Sequence, residues 1–442
     1  MSSKNSLNEK IQNRDATIGV IGLGYVGLPL ASAMLRAGFE VLGFDTDESK
    51  VVSLCEGRNY IGHLGDEMVV EMNAGGKFTP TTDFALLGKC DVAIICVPTP
   101  LGEHNDPDLS YVESSVRAIT AELRPGQLIV LESTTFPGTT REVMGDILAT
   151  KGLKVGEDYF IAFSPERQDP GRDKGGDVRE ISKLVGGTDE ASGQLAYDLY
   201  ACVLDSVTLV ESAEIAEAAK LLENIFRSVN IALVNEMKVI LDAMDIDVWK
   251  VIEAASTKPF GFMKFTPGPG LGGHCIPIDP YYLTWAARRF GHATRFIELA
   301  GEINTQMPEY VVQKTLLALN ESGKALKGSR LLVLGLAYKP NVDDVRESPA
   351  VTLIERFAAL GAEVSYSDPH VPVPPRMREH DLSAYRSIEI DAESLASFDV
   401  VVIATDHAAF DWDLIATNSQ IIVDTRNALG HRADSIAKYI RA

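Results

Sequence analysis

Three closely spaced glycines, Gly22, Gly24 and Gly27, follow a short apolar run at residues 16–21. A helix-like apolar stretch comes next, and a second apolar run then ends at Asp45. A strand, a glycine turn, a helix and a second strand within about thirty residues are typical of a βαβ unit. The unit predicts a parallel sheet that carries helices on its faces.

Further apolar runs of strand length indicate that this plan is used twice. In the first half they lie at 91–97, 127–131 and 158–163, and in the C-terminal third at 330–335, 363–367, 398–404 and 421–424. We therefore predict an α/β protein with two Rossmann-like, doubly wound parallel-sheet domains. The second domain has Gly335-Leu-Ala-Tyr-Lys-Pro340 in place of the triple-glycine turn, so we do not expect it to bind a dinucleotide in the same way.

Between the two sheets, residues 212–255 are apolar on most faces of a helical wheel and contain neither Gly nor Pro. At 1.5 Å per residue, thirty residues make a helix about 45 Å long, which must be buried on several sides. Two interpretations stay open, a core helix within one chain and a helix shared across a dimer interface. The length favours the second, and we expect a homodimer or a higher homo-oligomer.

Composition excludes several classes of partner. The 442 residues carry a formal net charge of −21, which repels nucleic acid and anionic membranes. No apolar run is long enough to span a membrane, and residues 1–15 are a polar segment that we expect to be a flexible tail of a cytoplasmic protein. Five scattered cysteines predict no disulfide framework, and no Cys/His spacing suggests a metal site.

The glycine turn predicts a dinucleotide site. Gly22 permits the tight turn, Gly24 allows the backbone to approach a pyrophosphate, and Gly27 allows close packing of helix on strand. The helix N-terminus favours the phosphates, while Asp45 suits ribose hydroxyls and repels a 2′-phosphate, which favours NAD over NADP. The alternative is a glycine turn in an α/β sheet that binds no cofactor.

Cys275 follows a glycine-rich loop at 267–273 and is the predicted nucleophile, because such a loop lets a carbonyl approach the sulfur and offers backbone N–H groups to an oxyanion. The other cysteines fit small buried hydrophobes. His274 could be a base, although a role in shaping the loop is the stronger interpretation. Lys220 and Asn224 lie four residues apart on the long helix and share a face, where the lysine either reaches solvent or stabilises a thiolate and an alkoxide.

Two strand-end loops and three cations complete the candidate site. Thr134 and Glu166 follow strands of the first sheet at the carboxyl edge where ligands bind, although capping alone would also explain such residues. In the second half, Lys339, Arg346 and Arg426 follow strands and would attract an anionic substrate to an acidic chain, unless they merely face solvent.

These residues resemble the UDP-glucose/GDP-mannose dehydrogenases, a family of nucleotide-sugar dehydrogenases, from about residue 18 to residue 429. The motifs that agree in order are Gly22-x-Gly24-Tyr-Val-Gly27, Val97-Pro-Thr99-Pro, Glu132-Ser-Thr134, Ser164-Pro-Glu166, Lys220 with Asn224, Gly272-Gly-His-Cys275, Lys339 and Arg346-Glu-Ser348. The resemblance implies an NAD-binding domain at 16–210, a central helical dimerisation domain at 211–312 and a UDP-sugar-binding domain at 325–442.

The family oxidises a sugar C6 alcohol twice, to a carboxylate, with two NAD⁺ and one water, and its products serve as polysaccharide precursors. Carried over to this chain, Cys275 would form a thiohemiacetal and then a thioester, and Lys220 with Asn224 would stabilise the oxyanions. Asp279 would help to place the water or the lysine, and Glu166 with Thr134 would activate and orient the water.

The resemblance also implies two sets of binding residues. The cofactor set is Gly22, Gly24, Tyr25, Val26, Gly27, Asp45, Lys50, Thr99, Thr134 and Arg346. The substrate set is Glu166, Arg167, Lys220, Asn224, Gly272, Lys339 and Arg426, of which Lys339 and Arg426 would hold the nucleotide diphosphate.

His274 and Ile278 depart from the UDP-glucose branch, which usually has Ser and Lys there. The sequence 276–278, Ile-Pro-Ile, is most similar to UDP-N-acetylglucosamine 6-dehydrogenases, whereas the galactosamine and mannosamine enzymes tend to have Gly-Val or Ala-Val. UDP-N-acetylmannosamine, UDP-N-acetylgalactosamine and UDP-glucose stay open as substrates. Two other hypotheses are a two-electron hydroxyacid dehydrogenase and a nucleotide-binding regulator without catalytic activity.

Overall fold

A computed structural model describes residues 2–61, 64–102, 104–167, 181–273, 275–377 and 380–442. The chain divides into two compact units, Met1–Glu223 with Tyr281–Ala293 and Asn224–Pro280 with Thr294–Ala442. The residues expected to form a central domain at 211–312 fall into both units. Among the described residues, no helix is both long and apolar enough to cross a membrane.

The first unit contains an eight-stranded sheet. Its strands are β1 (Thr17–Ile21), β2 (Glu40–Phe44), β3 (Phe78–Thr81), β4 (Val92–Ile95), β5 (Leu128–Leu131), β6 (Phe160–Phe163), β7 (Lys183–Gly187) and β8 (Val207–Val210). They lie in the order β3-β2-β1-β4-β5-β6-β7-β8, and all neighbours are parallel except β6 and β7. The strand order reverses between β1 and β4, the position at which sheets of this kind bind ligands.

The part of this unit that the structure describes wholly contains seven α-helices: α1 (Ser3–Asn13), α2 (Gly27–Arg36), α3 (Glu48–Cys55), α4 (Asp66–Ala74), α5 (Ser110–Glu122), α6 (Gly145–Ala149) and α7 (Glu190–Ala201). The expectation of a flexible tail at 1–15 is wrong for most of that segment, because α1 is an ordered helix. Ser2 caps its N-terminus, and Leu7 and Ile11 are buried in the core beside α7. Two apolar residues four apart suffice to dock a helix whose other faces are polar.

Four helices follow in the chain: α8 (Ala213–Ala243), α9 (Val248–Ser256), α10 (Cys275–Arg289) and α11 (Arg295–Glu321). The long helix predicted from residue 212 is therefore observed, with 31 residues. It ends at a turn in which Asp245 has a φ of 57°, a left-handed conformation that aspartate tolerates better than most residues. Asp247 then caps α9, so aspartates end one helix and begin the next without Gly or Pro.

The second unit contains a five-stranded parallel sheet in the order β10-β9-β11-β12-β13. Its strands are β9 (Arg330–Leu334), β10 (Glu363–Ser367), β11 (Val400–Ile403), β12 (Ile422–Asp424) and β13 (Tyr439–Arg441), and its remaining helices are α12 (Pro349–Ala359), α13 (Ala392–Ala396) and α14 (Trp412–Asn418). Both predicted parallel sheets are present, and the predicted α/β fold class is confirmed.

Candidate functional site

The glycine turn joins β1 to α2, and its three glycines are constrained differently. Gly22 has a φ of 91°, and a side chain there would lie 2.7 Å from the carbonyl oxygen of Cys96. A Cβ at Gly27 would lie 1.8 Å from the carbonyl oxygen of Gly22, whereas a Cβ at Gly24 would meet no atom within 4 Å. Two of the glycines are thus required by the fold, while Gly24 keeps open the surface beside the N-terminus of α2, an arrangement that fits a bound pyrophosphate.

Asp45 follows β2 at the same edge of the sheet, because the register pairs Ile21 with Phe44. Its Oδ2 accepts hydrogen bonds from the Leu23 N–H (3.0 Å) and from the Lys50 ammonium (3.1 Å). Lys50 also lies over the ring of Tyr60. The turn itself therefore holds this carboxylate in place. Tyr25 and Val26, also in the predicted cofactor set, are half-buried residues of the turn.

The loops after β4 and β5 lie at the same edge. Thr99 is buried, and its carbonyl accepts the Tyr282 hydroxyl proton at 2.6 Å. Thr134 is half-buried in the loop that begins with Glu132. That loop is held by Glu217 of α8, whose carboxylate accepts the Gly138 N–H at 2.6 Å and the Thr140 N–H at 2.9 Å. Burial raises the pKa of Glu217 to about 7, against the effect of these donors.

Glu166, in the loop after β6, lies in a cluster of charged groups. Its Oε2 accepts from the Lys183 ammonium at 3.3 Å, and its main-chain carbonyl accepts from the Lys220 ammonium at 2.5 Å. Lys183 also donates to Glu132 Oε2 at 2.8 Å, and Tyr200 donates to Glu132 Oε1. The structure therefore brings together two residues of the predicted catalytic set, Glu166 and Lys220.

Arg167, predicted to bind substrate, has its guanidinium hydrogen-bonded within the first unit. It donates to both carboxylate oxygens of Glu223, at 2.5 and 3.3 Å, and to the Ser182 carbonyl at 2.8 Å. This bidentate pair holds the loop of Glu166 against α8.

In the second unit, the glycine-rich loop at 267–273 ends where α10 begins, and Cys275 is the first residue of that helix. Cys275 is exposed. All five cysteines lie among the described residues, and each is a thiol that forms no disulfide. A helix N-terminus stabilises a thiolate through its dipole and its unpaired N–H groups. His274 lies outside the described residues.

One turn further along α10, Asp279 is buried and accepts a hydrogen bond from the Asn224 side-chain amide at 2.5 Å. Asn224 is itself buried, at 5% exposure. The structure thus brings together two more residues of the predicted catalytic set, and each fixes the rotamer of the other.

Buried amides anchor the start of the glycine-rich loop at 267–273. The Gly268 N–H donates to Asn235 Oδ1 at 3.0 Å, and the Asn235 amide donates to Asn304 Oδ1 at 2.9 Å. At the other end, the Gly273 N–H donates to the Arg346 carbonyl at 2.9 Å, and a Cβ at Gly272 would come within 2.5 Å of the Tyr338 Cβ. The loop is therefore tied to the second unit at both ends.

Of the three predicted cations, Arg426 places its guanidinium beside this loop, since a Cβ at Gly268 would lie 2.7 Å from an Arg426 guanidinium nitrogen. Its Nε donates to the Ala404 carbonyl at 2.8 Å, and burial lowers its pKa. Arg346 pairs with both oxygens of Asp344, and the ammonium of Lys339 lies over the ring of Tyr338.

The residues that the sequence did not reveal are those that support the site: Lys183, Tyr200, Glu217, Asn235 and Asn304. The sequence did offer a signal for Lys183, which begins the run Lys-Leu-Val-Gly-Gly. If this run forms a strand of the sheet, the lysine side chain is buried. The amides had none, because their partners are 33 and 69 residues away in the chain. Among the described residues, no three His, Cys, Asp or Glu side chains are grouped as metal ligands would be.

Three family models match the chain in the order expected. They are the NAD-binding domain of the UDP-glucose/GDP-mannose dehydrogenase family at residues 16–204, its central domain at 214–306 and its UDP-binding domain at 332–431. The domain boundaries predicted from the sequence stay a prediction.

Individual proteins point to the same family. The chain is 35% identical to a UDP-N-acetyl-D-glucosamine 6-dehydrogenase of Pseudomonas aeruginosa, over 90% of this chain and 92% of the relative. It is 36% identical to a UDP-N-acetyl-D-mannosamine dehydrogenase of Methanococcus maripaludis, over 96% of both chains. The solved structure of a UDP-N-acetylmannosamine dehydrogenase from Pyrococcus horikoshii matches with a TM-score of 0.84 at 35% identity, over 93% of this chain and 96% of the other. The protein described here is thus a member of the UDP-glucose/GDP-mannose dehydrogenase family, the NAD-dependent nucleotide-sugar dehydrogenases.

Proposed function

We propose that this enzyme oxidises the C6 alcohol of UDP-N-acetyl-D-glucosamine to the uronate, with two NAD⁺ and one water. The observation that carries the proposal is Cys275, an exposed thiol at the first residue of α10, directly after a glycine-rich loop that is tied down at both ends. A nucleophilic thiol is what distinguishes a four-electron oxidation from a simple alcohol dehydrogenation, because the aldehyde must be captured before it can be oxidised again.

The residues proposed to hold NAD are the glycine turn, Asp45, Lys50, Thr99, Thr134 and Arg346. Bound by these residues, NAD would supply the hydride acceptor for each oxidation. The open surface at Gly24 suits the pyrophosphate, and Asp45, with two oxygens facing backbone N–H groups, suits ribose hydroxyls.

The chemistry proposed for the chain runs through Cys275. Its thiolate attacks the C6 aldehyde to form a thiohemiacetal, which becomes a thioester in the second oxidation. Lys220 and Asn224 stabilise the oxyanions, because an ammonium and an amide donate hydrogen bonds to developing negative charge. Asp279, which accepts from Asn224, keeps the amide oriented.

Hydrolysis of the thioester is assigned to Glu166 and Thr134. Water attacks the acyl carbon, the carbon–sulfur bond breaks to release the Cys275 thiolate, and the Glu166 carboxylate takes a proton from the water. Thr134 orients the water. Lys339 and Arg426 bind the diphosphate of the substrate, with Arg167 and Gly272 as further substrate contacts.

The choice of N-acetylglucosamine rests on the Ile-Pro-Ile sequence at 276–278 and on relatives such as the Pseudomonas aeruginosa enzyme. Other relatives bear the names of N-acetylmannosamine and N-acetylgalactosaminuronic acid dehydrogenases. The test is NADH release with UDP-N-acetylglucosamine, UDP-N-acetylmannosamine, UDP-N-acetylgalactosamine and UDP-glucose as separate substrates. We expect two NADH per UDP-N-acetylglucosamine consumed; one NADH per sugar would support a two-electron dehydrogenase instead.

Replacement of the nucleophile tests the covalent step. Cys275→Ser should lower carboxylate formation by at least about a thousandfold, because an alkoxide is not available at neutral pH, while binding of the UDP-sugar by calorimetry should persist. Substantial uronate formation by this variant would contradict the thioester.

We further propose that the enzyme is a homodimer that pairs through α8. Five large apolar residues of this helix are each 44–66% exposed and follow one another at steps of four or seven, which places them on one face: Ile215, Leu222, Phe226, Leu233 and Ile240. Such a stripe on a 31-residue helix favours a partner over solvent. Light scattering should give twice the chain mass for the wild type and a monomer for Leu222→Glu/Leu233→Glu; a monomeric wild type would contradict the proposal.

A further inference from the structure

Two buried asparagines in the second unit form a chain of hydrogen bonds that ends on the glycine-rich loop at 267–273. Asn235 of α8 and Asn304 of α11 are only 0% and 2% exposed. The Gly268 N–H donates to Asn235 Oδ1 at 3.0 Å, and the Asn235 amide donates to Asn304 Oδ1 at 2.9 Å. The Asn304 amide in turn donates to the Ser228 carbonyl at 3.1 Å. Two helices and the loop thus meet through two amides.

The two ends of this chain of hydrogen bonds fix the orientation of both amides. A backbone N–H can only donate, so Asn235 turns its oxygen to Gly268 and its NH₂ group to Asn304. A backbone carbonyl can only accept, so Asn304 turns its NH₂ group to Ser228 and its oxygen to Asn235. Each amide therefore has one orientation that satisfies both of its partners, and Gly268 is held in place by α8.

Gly268 also faces Arg426. A Cβ at Gly268 would lie 2.7 Å from the Arg426 Nη1 and 3.3 Å from its Cζ, so the guanidinium occupies the space that a side chain at residue 268 would need. The Arg426 Nε donates to the Ala404 carbonyl at 2.8 Å, and the Arg426 backbone N–H donates to Asp424 Oδ1 at 2.9 Å. Arg426 is therefore held at its backbone, at its Nε and on one side of its guanidinium.

This arrangement leaves the terminal nitrogens of Arg426 to a ligand. Among the residues that the structure describes, neither Nη group donates a hydrogen bond. Burial lowers the pKa of Arg426, against the attraction of the Asp406 and Asp424 carboxylates. The fork of a guanidinium matches the oxygens of a phosphate group. An arginine that is already fixed binds such an anion without first losing rotamer freedom, so the position of its guanidinium matters for affinity.

We propose that Asn235 is a positioning residue for binding of the UDP-sugar diphosphate. This inference rests on the function proposed above, in which Arg426 binds that diphosphate. Asn235 holds Gly268 where the loop backbone supports the Arg426 guanidinium, and Asn304 keeps the Asn235 amide oriented. Gly268 acts together with Asn235, because any side chain at residue 268 would displace the guanidinium.

The test is a double-mutant cycle on the full-length enzyme, with UDP alone as the probe and calorimetry as the measurement. Arg426→Met should weaken UDP binding about 50-fold, the scale of a lost charged hydrogen bond. Asn235→Leu should weaken it about tenfold, because Gly268 and the guanidinium beside it move. In Asn235→Leu/Arg426→Met the loss should stay about 50-fold instead of reaching about 500-fold, since a residue that acts through Arg426 then has nothing left to position.

Gln127→Met is the matched control. Gln127 is 2% exposed and has no part in the proposed site. Its oxygen accepts the Arg124 N–H at 2.8 Å, and its NH₂ group donates to the Leu87 and Cys90 carbonyls. The control therefore also deprives a backbone N–H of a buried amide. Both variants should lower the urea midpoint, but Gln127→Met should leave the Kd for UDP within about twofold of the wild type.

Gly268→Ala tests the same contact if Asn235→Leu does not fold. The φ of Gly268 is not positive, so its backbone suits alanine. The atoms that the methyl group would meet belong to the flexible end of the Arg426 side chain, which can move without disturbing the core. UDP binding should weaken about tenfold, and Gly268→Ala/Arg426→Met should bind UDP no more weakly than Arg426→Met.

The outcomes separate this inference from the function on which it rests. A Kd for UDP that Arg426→Met does not change contradicts the diphosphate contact of the proposed function, and the inference fails with it. A Kd that Arg426→Met raises, but that Asn235→Leu or Gly268→Ala leaves unchanged, overturns the inference alone. A double variant in which the two single losses multiply has the same consequence.

Discussion

The two parallel sheets of this protein have a similar turn after their first strand, but the two turns differ in what they can bind. In the first sheet, Gly22 and Asp45 stand at the ends of β1 and β2; in the second, Gly335 and Asp368 stand at the ends of β9 and β10. Both glycines have positive φ, 91° and 83°. In both turns the aspartate accepts backbone N–H groups from the residues after the glycine.

The two turns differ in the space and the hydrogen-bond acceptors that the surrounding protein leaves unoccupied. In the first turn α2 begins at Gly27, and the space beside Gly24 is empty of protein atoms within 4 Å. In the second, the helix that follows begins only at Pro349, and the Thr405 hydroxyl donates to the Ala337 carbonyl at 2.6 Å.

The second aspartate, Asp368, already accepts hydrogen bonds on both of its carboxylate oxygens. Asp368 is 0% exposed and accepts four backbone N–H groups, those of Leu336, Ala337, His370 and Val371, and the imidazole of His407 at 3.0 Å. The His407 Nδ1 accepts the Asn341 N–H, so the Nε2 carries the proton that is donated. A turn whose acceptors are already used cannot receive a ribose. The comparison teaches that the shared strand–turn plan is structural, and that binding depends on which polar groups the fold leaves unused.

The largest effect should come from Gly27→Ala, which tests whether the first turn depends on close packing. A methyl group would lie 1.8 Å from the Gly22 carbonyl oxygen, and backbone on both sides must move. We expect a loss of about 4 kcal/mol of unfolding free energy, on the scale of a severe core clash. Urea denaturation followed by circular dichroism measures it. Gly145→Ala is the control, because Gly145 also begins a helix but has open space around a Cβ; equal losses for the two would refute the packing argument.

Asp368→Asn should cost about 3 kcal/mol at pH 7, since it turns a charged acceptor of five hydrogen bonds into an amide whose NH₂ faces donors. Asp45→Asn, at the equivalent position of the first turn, should cost about 1 kcal/mol, because its carboxylate accepts fewer buried donors. Urea denaturation of both variants measures the two costs. Equal costs would break the distinction between a saturated and an available aspartate.

The cost of Asp368→Asn in unfolding free energy should depend on pH. Burial would raise the pKa of Asp368, but His407 and the backbone donors lower it below its ordinary 3.8. A carboxyl whose folded pKa lies below the unfolded one contributes its full stability above the unfolded pKa and loses it as pH falls through the folded pKa. The difference in unfolding free energy between wild type and Asp368→Asn should therefore be constant from pH 7 to about pH 5 and shrink towards pH 3. A difference that stays unchanged at pH 3 would contradict this assignment.

Gly24→Ala makes the first turn resemble the second, which has Ala337 at the corresponding position. The fold should tolerate it, because no atom lies within 4 Å of the added carbon. We expect NAD to bind about tenfold more weakly, which corresponds to about 1.4 kcal/mol, since the methyl group keeps the pyrophosphate from the backbone. Fluorescence titration with NADH measures the change in Kd. An unaltered Kd would contradict binding of the pyrophosphate at this turn.

Ala337→Gly is the reverse change and should have the smallest effect. It frees the unfolded chain and should cost about 0.5–1 kcal/mol of stability. It should not create dinucleotide binding in the second unit, because Asp368 is still saturated and no helix begins at the turn. If this variant bound more than one NADH per chain, the missing glycine, and not the occupied acceptors of Asp368, would be what prevents binding at the second turn.

Much of the fold could be predicted because buried parallel strands are continuous apolar runs, which a local reading detects. β1, β2, β4, β5 and β6 were all of this kind. Two of the strands that were missed, Phe78–Thr81 and Lys183–Gly187, have polar or glycine-rich sequences. They become strands because a neighbour in the sheet offers hydrogen bonds, and their own pattern does not reveal it.

The sequence alone determined the family, the glycine turn and the acidic residue that follows β2, and it predicted the candidate catalytic residues, because each of these belongs to a short motif of nearby residues. It did not reveal that Lys183 joins Glu132 to Glu166, that Glu217 holds the loop after Thr134, or that Asp368 is saturated. Those facts depend on side chains that lie tens of residues apart in the chain and meet only when the sheets form. A hydrogen bond depends on distance and direction in space, and only the tertiary structure supplies both.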